Sequence, residues 1–173
     1  LDEDLTIFEN ISIHAQLQGL THSDAEINTL HWADLLEFTG YLNQYPKNLA
    51  YGLQRKILFA RTLIHDPDVL LLDEPTTGMD PRSRSKVWDI LDRIHHKKTI
   101  IFVTQNFTEA ERYSDRIAIL HEGNIKMDGT LDRLIETTHG LTYYRLAFSK
   151  EPSLEFMQKL EQYPRVVRPT LKG

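Results

Sequence analysis

Asp73 and Glu74 stand side by side at the end of an apolar run in VLLLDEPTTGMD, residues 69–80, and a third acid, Asp80, closes the segment. An acid pair at the carboxyl end of a buried strand lies where open α/β sheets bind ligands, in the crevice beyond the strand ends. Neighbouring strand side chains point to opposite faces, so the two acids must take different tasks. One can enter the coordination shell of a metal ion while the other orients and polarises a water molecule. A plainer reading of an isolated LLDE is an Asp that caps the next turn and a Glu that is merely solvated.

The elements around this pair are legible from their patterns. A capping-box pattern, Ser23-x-x-Glu26, precedes Ile27, Leu30, Ala33 and Leu36 at helical spacing, with Gly40 as the stop, so the first 48 residues read as mainly helical. LQRKILFARTLIH, residues 53–65, carries Ile57, Leu58, Ala60, Arg61 and Ile64 on a helix that must end before Pro67. VLLL then has the form of a parallel strand buried on both faces. Asp80 and Pro81 suit an N-cap and first helical residue, and Val87, Trp88, Leu91 and Ile94 give the following helix an inward face. TIIFVT, residues 99–104, is a second buried strand. Strand, helix, strand at this spacing predicts an α/β domain with parallel strands. IAIL at 117–120 and IKMDG at 125–129 flank HEGN as an antiparallel hairpin, and Thr130 can cap a short helix ending at Gly140. Residues 141–173 read as strand, helix from about Ser153, and strand.

Composition removes several function classes. The 173 residues carry a formal charge of −5 with acids and bases interspersed, which offers no basic stripe to a nucleic-acid backbone. Without cysteine there is neither disulfide nor thiolate zinc site. No apolar stretch approaches the roughly 20 residues that span a bilayer, so a membrane role would be peripheral. His95 and His96 lack the spacing of metal ligands, and Trp32, Trp88 and Phe107 suit core or interface filling. The acids at 2–4, 109 and 111 read as solvated faces.

Around the acid pair, LAYGL at 49–53 is followed by QRKILFARTLIHDP, and FVTQNFTEAERYSDRIAILHEGNIKMDGT runs from 102 to 130. In this order the segments resemble the signature, Walker B strand, D-loop and switch region of ATP-binding cassette (ABC) ATPases, over roughly residues 1–130. LDEDLTIFENI at the start resembles the segment after the Q-loop in the daunorubicin and doxorubicin resistance type of exporter. The resemblance implies that Asp73 holds Mg²⁺, that Glu74 is the general base preparing water for attack on the γ-phosphorus of ATP, and that Asp80 shapes the contact between two paired ATPase domains. Asp80 as a plain helix N-cap is compatible with that role.

Two departures from the family pattern stand out. The signature serine is replaced by Ala50, its first glycine by Tyr51 and its glutamine by Leu53, while Gly52 is kept. Loss of one hydroxyl bond to a phosphate costs roughly 1.5 to 3 kcal/mol, one to two decades in affinity, and Tyr51 is less comfortable than glycine at a positive backbone angle. Gln105 stands at the position of the switch histidine; its amide can donate to a phosphate oxygen but carries no proton near neutral pH. Glutamine there is itself a feature of the daunorubicin-type group.

None of the eight glycines is followed by lysine, so the phosphate-gripping G-x-x-x-x-G-K-[ST] loop is missing from this chain. Together with the start at Leu1, this implies a segment cut before the Q-loop, not expected to bind ATP alone. The domain reading is a helical subdomain remainder at 1–48, the signature-to-switch region of the ATPase core at 49–130, and a small α+β extension at 131–173. By resemblance the complete protein is the ATPase subunit of an exporter, peripheral on the inner face of the cell membrane, with ATP and Mg²⁺, a second ATPase domain and a membrane permease as partners and no nucleic acid. A chromosome- or ribosome-associated ABC ATPase and a catalytically silent ABC domain are the alternatives.

Overall fold

The computed structural model describes residues 1–137 together with Ser153, Phe156 and Lys159. The expected helix stop at Gly140 lies outside the described residues, as does the reading of 141–173 apart from those three positions. The fold is mixed α/β, as the sequence predicts, and divides into two compact units, Leu1–Ser114 and Asp115–Gly173.

The first unit opens with α1 (Ile7–Leu17), held at its start by reciprocal bonds in which Glu9 N–H donates to Thr6 Oγ1 and Thr6 N–H to Glu9 Oε2. Helix α2 (His22–Leu35) starts earlier than Ser23 implies. Its N-cap is Thr21, whose hydroxyl accepts from Asp24 N–H at 3.2 Å and donates to the Asp24 carboxylate at 2.6 Å. Its inward face is Ala25, Thr29 and Ala33, while Ile27 and Leu30 are exposed. The small side chains let α1 approach closely, and Thr29 is satisfied by donating to the Ala25 carbonyl. Glu37, at φ 58°, turns the chain after α2, a task the sequence suggested for Gly40.

Helix α3 (Tyr51–Leu63) leads into β1 (Val69–Asp73), which pairs in parallel with β2 (Thr99–Val103) across α4 (Pro81–Ile94), Leu71 facing Ile101 in register. The core runs through Ile7 and Ile11 of α1, Ile57 and Ala60 of α3, Leu70 and Leu72 of β1, and Val87, Trp88 and Leu91 of α4. The strands depart from expectation: only one face is covered, with Leu70 and Leu72 buried while Val69 and Leu71 are 56% and 72% exposed. On β2, Ile101 and Val103 are likewise exposed. No described element of the first unit packs on that face, so alternate side chains alone reach the core. Helix α5 (Phe107–Tyr113) ends the unit; its Tyr113 ring stacks on Trp88 at 4.4 Å, and Phe102 meets Trp88 edge-on.

The second unit contains the expected hairpin, β3 (Ile117–His121) and β4 (Asn124–Gly129), antiparallel with a slip between Ile119 and Leu120. Glu122 and Gly123 both take positive φ, 50° and 74°, the backbone of a tight turn whose twist matches its strands. Helix α6 (Leu131–Thr137) follows, with Arg133 N–H donating to Thr130 Oγ1.

Candidate active site

β1 ends at Asp73, whose side chain is exposed. Glu74 adds one more ladder bond, its N–H donating to the Val103 carbonyl at 2.9 Å, and then leaves the strand at φ 46°. A left-handed backbone at a non-glycine residue costs about 1 kcal/mol or more and must be held by its surroundings. Arg55 holds it: its guanidinium donates to the carbonyls of Asp73 at 2.7 Å and Glu74 at 2.6 Å.

The Glu74 side chain is half-buried and anchored at both oxygens. Oε1 accepts from the backbone N–H of Gln105 at 2.8 Å, and Oε2 from the Thr77 hydroxyl at 2.9 Å. Each carboxylate oxygen keeps a second lone pair, enough to take a water proton. Gln105 therefore meets Glu74 through its backbone, and its amide side chain is exposed.

Asp80 caps α4 as expected. Its carboxylate accepts from the Ser83 hydroxyl at 2.6 Å and the Ser83 N–H at 3.0 Å, and these bonds hold its pKa down from 3.8 to about 2. Ala50 is the N-cap of α3 and offers no side-chain bond to it. Tyr51 corrects the expectation of a strained backbone: it is the first residue of α3 and is not among the described residues with positive φ. Gly52 and Tyr51 instead press on the loop between β1 and α4. A Cβ on Gly52 would run into the Gly78 carbonyl oxygen, and one on Gly78 would lie 2.6 Å from the Tyr51 ring. Leu53 is half-buried against the core. Residues 50–53 thus meet the D-loop-like segment at Gly78, whereas the partners of the Glu74 carboxylate are Thr77 and Gln105.

Asp73 presents an exposed carboxylate at the strand end, an oxygen donor of the type that hard cations take, and among the described residues there is no cluster of three or more His, Cys, Asp or Glu that could hold a metal. A groove of about 200 Å³ between α4 and α5, lined by Arg84, Trp88, Asn106, Glu109, Arg112 and Tyr113 among others, includes neither Asp73 nor Glu74.

Sequence reasoning missed Arg55 and misread Glu109. The latter is 7% exposed, not solvated, and accepts hydroxyl bonds from Thr76 and Thr104. The available signal was Tyr113, four residues on along the same helix face and plainly suited to the core.

A profile described as ABC transporter matches residues 1–77. The chain is 37% identical over 132 residues to the glycine betaine transport ATP-binding protein OpuAA of Bacillus subtilis (strain 168), covering 75% of this chain and 32% of that protein. With the Nod factor export ATP-binding protein I of Burkholderia orbicola (strain AU 1054) it shares 38% over 144 residues, 81% of this chain and 46% of that one. Residues 1–77 thus fall within an ABC transporter match, and the chain is similar to ABC transporter ATP-binding proteins over three quarters or more of its length. A solved structure of the ATP binding subunit of an ABC transporter matches the ABC fold described here with a TM-score of 0.75 at 26% identity, over 81% of this chain and 59% of that chain. The ABC segment spans less than half the length of either relative. Among its described residues no helix is long and apolar enough to cross a membrane.

Proposed function

We propose that the protein is the ATP-hydrolysing subunit of an ABC exporter of the daunorubicin-resistance type, and that Glu74 is its general base. The single observation that carries this is the anchoring of the Glu74 carboxylate between Thr77 and the Gln105 N–H at the open end of β1. Bound Mg·ATP supplies the γ-phosphoryl group as electrophile. Glu74 takes a proton from the attacking water, whose oxygen bonds to the γ-phosphorus as the β–γ bridging bond breaks and ADP leaves. Phosphoryl transfer asks the protein mainly for positioned charge and an oriented nucleophile, and Glu74 and Asp73 are residue types that meet that need.

Asp73 would hold the metal, which would offset charge on the phosphates, and the Gln105 amide is free to donate to a phosphate oxygen. Residues 50–53 offer the start of α3 to the γ-phosphate of nucleotide on a second ATPase domain, with Gly52 allowing close approach. Asp80 belongs to the contact between the two domains.

The loop that grips the phosphates comes from residues outside these 173. The exposed apolar face of Val69, Leu71, Ile101 and Val103 supports this, because parallel strands are ordinarily covered on both sides. A membrane permease is the further partner, placing the protein peripherally on the inner face of the cell membrane; exposed Leu17, Ile27 and Leu30 on the first two helices suit such a contact.

The test is Glu74→Gln in the protein that includes the phosphate-gripping loop. Nucleotide binding stays and turnover is lost. Unchanged hydrolysis would remove Glu74 from this role. The uncapped start of α3 at Ala50 favours a second reading, an assembly domain that does not hydrolyse ATP. Turnover by the wild-type protein with its membrane partner excludes it.

A further inference from the structure

We infer that Glu109 is a positioning residue for hydrolysis: its buried carboxylate ties together the two loops between which the Glu74 side chain is suspended. The inference rests on the reading of Glu74 as the base.

Glu109 Oε1 accepts the Thr76 hydroxyl at 2.8 Å and Oε2 accepts the Thr104 hydroxyl at 2.8 Å. Thr76 lies two residues beyond Glu74, next to Thr77, whose hydroxyl holds Glu74 Oε2. Thr104 immediately precedes Gln105, whose N–H holds Glu74 Oε1. Each donor to the base is therefore one residue from a threonine fixed by the same carboxylate. Thr104 Oγ1 also accepts the Asn106 N–H at 3.0 Å, and Asn106 caps the helix on which Glu109 sits. This closes a ring from Glu109 through Thr104 and Asn106 back to α5.

A carboxylate is costly to bury unless its oxygens are paired, and an apolar residue would fill the same helix face at less cost. What the carboxylate adds is a two-pronged acceptor that sets the distance between the end of β2 and the loop after β1. Arg84 Nε, 4.0 Å from Oε1, completes its surroundings. Relaxing this tie moves the Gln105 N–H and the Thr77 hydroxyl relative to each other, so Glu74 loses its aim while the phosphate-gripping loop and Asp73, which carry most of the nucleotide binding, are untouched.

The test uses the ATPase that includes the phosphate-gripping loop. Thr76→Val and Thr104→Val keep the shape and remove the donor hydroxyls. Each should lower kcat per bound nucleotide by roughly tenfold, the loss of one bond to a charged group, with KM within about twofold of wild type. Thr76→Ser and Thr104→Ser should restore most of the rate, and Thr76→Val combined with Glu109→Gln should fall little below Glu109→Gln alone. Valine variants that turn over at the wild-type rate overturn the inference. So does a loss that serine fails to restore, or one matched by an equal loss of nucleotide-binding capacity, since those mark simple packing. Glu74→Gln in the same assay separates the two levels. Wild-type turnover there ends the reading of Glu74 and this inference with it; lost turnover beside fully active valine variants ends the inference alone.

Discussion

Arg55 Nη2 donates to the Glu74 carbonyl at 2.6 Å, so the first turns of α3 hold the left-handed residue at the end of β1. The same guanidinium serves Asp73, which makes the arginine a clamp on the backbone of the acid pair. Arg55→Met keeps much of the side chain's bulk and removes both charge-assisted bonds. The expected cost is about 1 to 2 kcal/mol, the partly exposed setting reducing the full value. Arg55→Lys recovers part, because an ammonium lacks the fixed fork of a guanidinium. Urea unfolding of the first unit measures both, and a methionine variant as stable as wild type would show that the clamp carries no energy.

Gly52 needs to be glycine because of proximity, not because of its backbone angle. Its missing Cβ leaves room for the Gly78 carbonyl, a backbone atom that cannot swing aside. Gly52→Ala should therefore destabilise by about 1 to 3 kcal/mol, the range for overpacking. Gly40→Ala is the contrasting control. Nothing lies within 4 Å of a Cβ there, so the change should be neutral or stabilising by up to about 1 kcal/mol through the unfolded state. Equal melting temperatures for the two variants would contradict the contact at Gly78.

The order of elements around the site was legible because its signals are local. VLLL, Asp80-Pro81 and TIIFVT each state their own conformation within a few residues, and the structure places β1, the α4 cap and β2 there. Burial of the strand faces was not legible, since an apolar run says that a side chain can be covered and not what covers it. The face of α2 was misjudged for a related reason. Periodicity favours Ile27 and Leu30, whereas close packing on α1 selects Ala25, Thr29 and Ala33. Arg55 was out of reach because its partners lie 18 and 19 residues away, and of the two partners of Glu109 the fold alone brings up Thr76, 33 residues distant.

Asp80 makes stability depend on acidity in a defined window. Its folded pKa, about 2, lies below the ordinary 3.8 because the Ser83 hydroxyl and N–H stabilise the carboxylate. Depression in the folded state means that its contribution is complete above the unfolded value and is lost as pH falls through the folded one. The melting-temperature gap between wild type and Asp80→Ala should thus be constant from neutral pH to roughly pH 5, then shrink toward about pH 2. Asp80→Ser, which retains a capping oxygen without a charge, should lie between them with a pH-independent offset from the alanine variant. A gap that does not change with pH would mean that Asp80 caps through geometry alone.

Leu71 tests whether the bare sheet face is a surface or an interface. Its side chain is 72% exposed, and its register partner Ile101 is 55% exposed on the same face. Leu71→Glu in the 173-residue chain should leave the melting temperature nearly unchanged and raise solubility, because the substitution breaks up an exposed apolar patch. In the proposed longer ATPase, with its phosphate-gripping segment, the same change would bury a charge beneath the added polypeptide. Destabilisation of about 3 kcal/mol or more is expected there, well beyond what a surface substitution produces. Thermal unfolding of both forms, with sedimentation to follow aggregation of the shorter one, distinguishes the cases. If Leu71→Glu is harmless in the longer protein as well, this face remains in solvent there, and the proposal that further residues cover it falls.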